Sequence, residues 1–244
     1  MNEPVFVEFS TTSPVDASPP NARFTTSIPH SPVTFDGPER YSDDEVAALS
    51  ADAKQIIARY PQARSALLPL LHLVQSHDSY LTRAGVQFCA EHLGLTPAQV
   101  ASVATFYSMY RRAPTGDYLV GVCTNALCAV MGGDAILAQI TDELGLSPGD
   151  TTDDGRVTVD RIECNAACDK APVVMVNWEF FDDQTPESTR RLVADLRAGV
   201  PRSPSRGADS LCTFRQAGRL LAGVADDPGA GPDATDSDDG QDAR

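Results

Sequence analysis

Four of the six cysteines fall into two close pairs. Cys123 and Cys128 are spaced C-x4-C, Cys164 and Cys168 are spaced C-x3-C, and thirty-five residues separate the pairs. Four thiolates suit either a structural zinc ion or an iron–sulfur cluster. Zinc sites mostly use the tighter C-x2-C knuckle. A cluster with two irons is wider, and one cysteine pair can serve each iron. The residues between the thiols are small: Thr124, Asn125, Ala126 and Leu127 in one loop, Asn165, Ala166 and Ala167 in the other. Small residues let the backbone wrap closely and aim N–H groups at sulfur, where they offset negative charge and tune a reduction potential. A thiol–disulfide enzyme would want C-x-x-C at a helix N-terminus, and neither pair has that spacing.

The other reactive residues offer less. Cys89 lies in "GVQFCAEHLGL" among apolar neighbours, the setting of a small core residue. Cys212 has no partner nearby in sequence and reads as a packing residue or an exposed thiol. His30, His72, His77 and His92 share no spacing with the cysteines, so a mixed His/Cys centre is not indicated. No G-x-G-x-x-G follows a predicted strand, and neither a nucleophile nor an acid–base pair stands out; no catalytic residue is assigned.

The thiols need elements to hold them. "YLVGVC", 118–123, reads as a buried strand and "RVTVDRI", 156–162, as an alternating one, so each cysteine pair sits where a loop leaves a strand. "GDAILAQITDELG", 133–145, has helical periodicity. "PVVMV" and "EFFDD" form a hairpin across Asn177-Trp178. "TPESTRRLVADLRAG" starts with Thr185 and Pro186 and ends at Gly199, the marks of a final helix. This order describes helices packed on a small sheet.

Upstream, residues 41–110 have the periodicity of four helices. Ser42 and Glu45 form a capping box ahead of Val46, Leu49, Ala53, Ile56 and Ile57. A second helix covers 65–76, with Pro69 near its first turn. A third runs from Thr82 to a C-cap at Gly94. The fourth, "TPAQVASVATFYSMY", has Thr96 as N-cap and Pro97 at the first helical position. Residues 1–40 contain seven prolines and no apolar period, and are expected to be disordered, with Val5–Phe9 as a candidate short strand. Residues 200–244 are expected to be a mostly disordered acidic extension, with an amphipathic island at 211–223.

The chain has 244 residues and a formal net charge of −15, and its last twenty residues hold seven Asp and one Arg. No basic stripe is visible, which argues against nucleic acid as a partner. No apolar run approaches the length of a membrane helix. The start, "MNEPVFVEFS", lacks the basic and apolar regions of a secretory signal, so the expected compartment is the cytoplasm. Clustered cysteines in a reducing compartment mean metal or redox chemistry rather than a disulfide framework.

"VATFYSMY", then "VCTNALC" with "GG" shortly after, then "ECNAACDKAPVVMVN" and "TPE" together resemble the thioredoxin-like [2Fe–2S] subunit family of proton-pumping NADH:quinone oxidoreductase, respiratory complex I. The resemblance covers about residues 41–199. It implies an α+β protein: an N-terminal helical bundle over 41–110, then a thioredoxin-like [2Fe–2S] ferredoxin domain over 117–199, with disordered termini. It implies one [2Fe–2S] cluster on Cys123, Cys128, Cys164 and Cys168, each pair holding one iron. The implied partner is the flavin- and NADH-binding subunit of the peripheral arm, at the cytoplasmic face of the membrane. This chain would then carry electrons as part of an enzyme without itself binding NADH. The same module serves NAD-linked hydrogenases and formate dehydrogenases, and a zinc-stabilised interaction module is the reading from a different class. One residue departs from the family pattern. Ala166 stands where relatives often have Gly, and a positive φ there would strain it.

Overall fold

The computed structural model describes residues 34–224. The expected disorder of 1–33, the candidate strand at Val5–Phe9 and the acidic stretch 225–244 lie outside these residues.

Helix α1, Asp43–Ile57, begins at the expected capping box: the Glu45 N–H donates to Ser42 Oγ at 3.4 Å, and the Ser42 N–H donates to Glu45 Oε2 at 2.8 Å. Helix α2, Leu67–Asp78, follows a short 3-10 turn and keeps Pro69 in its first turn, where a missing N–H does no harm. Helix α3, Arg83–Leu93, runs from the Thr82 cap to Gly94, which is left-handed. Helix α4, Pro97–Ala104, starts at a second capping box, Thr96 with Gln99. The apolar faces of these helices, with Ile56, Leu70, Leu71, Val74, Phe88, Cys89 and Val100, share one core. Cys89 is fully buried in it, and burial pushes its thiol pKa up.

Two expectations about this part need correction. The segment 34–40 falls in the stretch expected to be disordered, yet Phe35 is buried, and the Asp36 and Pro38 carbonyls accept the N–H groups of Arg83 and Ala84. These are donors that the first turn of a helix leaves without intrahelical partners, so the segment completes the cap of α3. The fourth helix, expected to reach Tyr110, ends at Ala104. Thr105 Oγ1 bonds back to the Ala101 carbonyl, and the following aromatic run is a poor helix former. Tertiary bonds then hold the chain in turns. Fully buried Gln75 donates to the Met109 carbonyl at 3.1 Å and accepts the Arg111 N–H at 2.7 Å, while the Tyr110 hydroxyl donates to the Leu68 carbonyl.

The sheet has four strands: β1 Tyr118–Cys123, β2 Val157–Ile162, β3 Val174–Val176 and β4 Glu179–Phe181, in the order β2-β1-β3-β4. β1 pairs parallel with β2 and antiparallel with β3. The parallel pair needs a crossover. It is made by α5, Ala126–Val130, and α6, Gly133–Leu144. β3 and β4 form the expected hairpin, with Asn177 at φ 48° and Trp178 at φ 71°. Two left-handed residues make the turn whose twist matches the strands. The Trp178 ring packs against Phe214, with ring centroids 5.2 Å apart. Helices α6 and α7, Pro186–Arg197, cover one face of the sheet, with Ile136, Ile140, Leu192 and Leu196 against Val120, Val122, Val157 and Val159. On the other face Leu119, Gly121, Met175 and Trp178 line a groove of about 490 Å³ shared with Met109 and Arg111. An Arg111–Asp160 ion pair at 2.6 Å ties that linker to β2.

The stretch 200–210, expected from its composition to be disordered, and the start of the island at 211–213 are held by bonds to distant residues. The Ser205 N–H donates to the Phe180 carbonyl, the Phe214 N–H to the Asp117 carbonyl, and the Asn177 amide to the Cys212 carbonyl. Composition misleads because these partners come from distant parts of the chain. The island is helix α8, Phe214–Ala222, and it docks on this chain's own α2. Gly218 permits the close approach: a Cβ there would lie 2.9 Å from Ser76 Cβ. Phe214 is fully buried.

Candidate metal centre

Strands β1 and β2 run parallel and end level, Cys123 opposite Ile162. Both cysteine loops therefore leave the same end of the sheet. In the first loop Cys123 closes β1, and Cys128 lies in the single turn and a half of α5. Both are buried, at 2% and 4% exposure, which decides the character of this half of the site. Gly133 then seats the start of α6 directly on the loop. A Cβ there would collide with the Cys123 carbonyl and come within 2.9 Å of the Cys128 carbonyl, so no other residue fits without a shift.

The second loop is built differently. Cys164 and Cys168 are exposed. Ala166, between them, has φ 55°, and this orientation lets its N–H donate to Cys164 Sγ at 3.4 Å. The left-handed region costs a residue with a Cβ about 1–2 kcal/mol. Asn165 places its side-chain Nδ2 in a buried position with no hydrogen-bond partner. Cys168 opens a short 3-10 turn, and Pro172, after a cis peptide bond, leads into β3.

Cys128 feels Cys123 and Cys168, and Cys168 feels Cys164 and Cys123. The Cys128 thiol is pushed up chiefly by burial, further by a bond to Cys123 and by the charge of Cys168, while the Val173 N–H pulls it down. The Cys168 thiol is pushed up first by its bond to Cys164, and Cys123 adds to this. At Cys128 and Cys168, protons and like charges thus compete for the same small space, which a cationic centre bound there would relieve. Among the described residues no three His, Cys, Asp or Glu side chains close on a single point, so the thiols stand as two pairs rather than one tight knot. The donor set fits a cluster of two irons: two pairs of sulfur, each with N–H groups aimed at it, from Ala166 at the second pair and from Asn125 and Val173, the latter at the edge of β3, at the first.

The model of the thioredoxin-like [2Fe–2S] ferredoxin family matches residues 53–197. The chain belongs to that family. Such proteins carry a single [2Fe–2S] cluster and serve in electron transfer. An NADH-quinone oxidoreductase subunit of Mycobacterium tuberculosis is 63% identical over 198 residues, covering 81% of this chain and 78% of that protein. Subunit 2 of the Thermus thermophilus NADH-quinone oxidoreductase is 36% identical, over 60% of this chain and 82% of its own length. The NADP-reducing hydrogenase subunit HndA of Solidesulfovibrio fructosivorans is 33% identical, over 60% of this chain and 86% of its length. A crystal structure of an air-oxidised NAD+-reducing [NiFe]-hydrogenase shares the fold, with TM-score 0.50 at 22% identity, over 55% of this chain and 23% of that one. Among the described residues no helix is long and apolar enough to cross a membrane.

The structure places the four cysteines singled out in the sequence as two pairs on loops at one end of the sheet, and among the described residues no three of them close on a single point. Cys89 lies in the helical core and Cys212 packs beside the β3–β4 turn, each apart from the four. Sequence reasoning missed Asn125, Gly133 and Val173 as parts of the site. The Gly132-Gly133 pair at a helix start was a signal for Gly133; Asn125 and Val173 gave none, because their partners come from other elements.

Proposed function

We propose that Cys123 and Cys128 hold one iron and Cys164 and Cys168 the other iron of the [2Fe–2S] cluster, in the peripheral arm of an NADH:quinone oxidoreductase. The observation that carries this reading is the arrival of two thiol pairs at the level ends of neighbouring parallel strands, each with N–H donors on sulfur. When bound, the cluster accepts and returns one electron, its dianionic oxidised form with four thiolates becoming trianionic. The chain's part is to hold that charge. Burial of the first pair keeps water off two sulfurs and strengthens every dipole aimed at them. The Ala166 and Val173 N–H groups offset the added electron. The exposed second pair marks the side open to an electron-exchange partner, which we assign to the flavin of the NADH-binding subunit. The likeness to the M. tuberculosis NADH-quinone oxidoreductase subunit supports a place in such a complex, and to this our reading adds the flavin partner and the cytoplasmic face.

Anaerobic purification of the full chain tests the ligation. The expected product is coloured, carries two irons and two acid-labile sulfides, and shows an EPR signal on reduction. A colourless protein with one zinc and no sulfide would sink the proposal. The hydrogenase relatives favour a second reading, the corresponding component of an NAD(P)-linked hydrogenase. Co-purification decides between them: quinone-module subunits support the first, a hydrogenase subunit the second.

A further inference from the structure

Asn125 makes bonds that are unusual for its position. It is the N-cap of α5, where Asn ordinarily accepts an N–H from the first turn, and it makes no such bond. Its side chain turns across the site instead. Nδ2 donates to the Ile162 carbonyl at 3.1 Å and lies 3.8 Å from Cys123 Sγ. An amide nitrogen carries two hydrogens, enough for both acceptors. Ile162 is the last residue of β2, and Cys164 follows two residues later. One side chain thus ties the loop of the buried pair to the root of the loop of the exposed pair.

We propose that Asn125 is a positioning residue that fixes the separation of the two cysteine loops and holds an N–H dipole against the Cys123 sulfur, raising the cluster's reduction potential. This rests on the four-cysteine ligation proposed above. A donor on sulfur stabilises the reduced, more negative form more than the oxidised one. Cys123 is almost fully buried, so little water screens the dipole. A mere N-cap would tolerate Asp at this position, since Asp caps as well as Asn and suits the positive helix end. The bracing role does not tolerate it, because a carboxylate has no hydrogen to give.

Asn125→Asp and Asn125→Ala separate the two roles, with the full chain used throughout. In the chain freed of iron, hydrogen exchange over 163–168 should quicken several-fold in both variants. In the cluster-loaded chain, EPR-monitored redox titration should show the reduction equilibrium of Asn125→Ala displaced about tenfold toward the oxidised form, or about 59 mV for one electron. Asn125→Asp should lie lower still, because it adds a negative charge. Potentials equal to wild type in both variants, with two irons and two sulfides retained, would overturn the proposal. If one variant fails to assemble, the other is read; if both fail, unchanged exchange over 163–168 in the iron-free chain overturns it. Failure of the ligation itself shows separately, as a wild-type chain without iron and sulfide.

Discussion

The two cysteine loops hold the same chemical groups by different means. The first is built from regular structure: a strand end, a short helix and a glycine that lets α6 sit on the loop backbone. Its thiols are buried. The second is a loop whose shape depends on one residue in a left-handed conformation, and its thiols face solvent. A buried, preshaped half keeps its sulfurs in place whether or not a guest is bound. An exposed half that stores backbone strain leans on the guest to keep its shape. One half acts as the anchor and the other as the contact.

The largest effects should come from the thiols themselves. Replacing any of Cys123, Cys128, Cys164 or Cys168 by Ser should abolish or strongly reduce assembly, measured as iron and sulfide per chain. The two halves should part company in the iron-free chain. Cys128→Ser buries a hydroxyl and should lower unfolding free energy by about 1–3 kcal/mol, whereas Cys168→Ser should leave the melting temperature nearly unchanged. Equal destabilisation by both would erase the distinction between anchor and contact.

Gly133→Ala tests the anchor alone. Its Cβ meets backbone rather than a flexible side chain, so α6 or the loop must move. Overpacking of this kind costs about 1–3 kcal/mol, and denaturant unfolding should show it together with reduced iron content. Unchanged stability would mean that the loop yields, contrary to its rigidity.

Ala166→Gly tests the contact. Glycine adopts φ 55° without the Cβ penalty but loses more chain entropy on folding. The net expectation is a gain of about 1 kcal/mol, seen as a raised denaturation midpoint. A loss would show that the Ala166 methyl has a packing role larger than its strain. The smallest effect belongs to Cys212→Ser, which should leave iron content and the EPR signal unaltered. Loss of that signal would break the assignment of the four thiols.

Local signals carried much of this fold. The Ser42–Glu45 capping box, the Thr96 N-cap, the β1 run and the Asn177-Trp178 hairpin are properties of neighbouring residues, and the structure has them where the sequence places them. The failures share a cause. The end of α4 depends on Gln75, about thirty residues upstream of the turns that it holds. The order of 200–210 depends on β4, whose Phe180 carbonyl accepts the Ser205 N–H. The cap on α3 depends on Asp36 and Pro38. In each case the deciding bond joins residues whose proximity no local pattern encodes.

By itself the sequence determined the chemistry: four thiols in two pairs, each pair following a strand, with small residues between them and a left-handed demand foreseeable at Ala166. Donor type and spacing are properties of the chain before it folds. Tertiary structure decided which pair is buried. It also turned Asn125 from capping its own helix to bridging the two loops. Those outcomes rest on strand register and helix packing, which bring distant residues into contact only when the whole sheet is assembled.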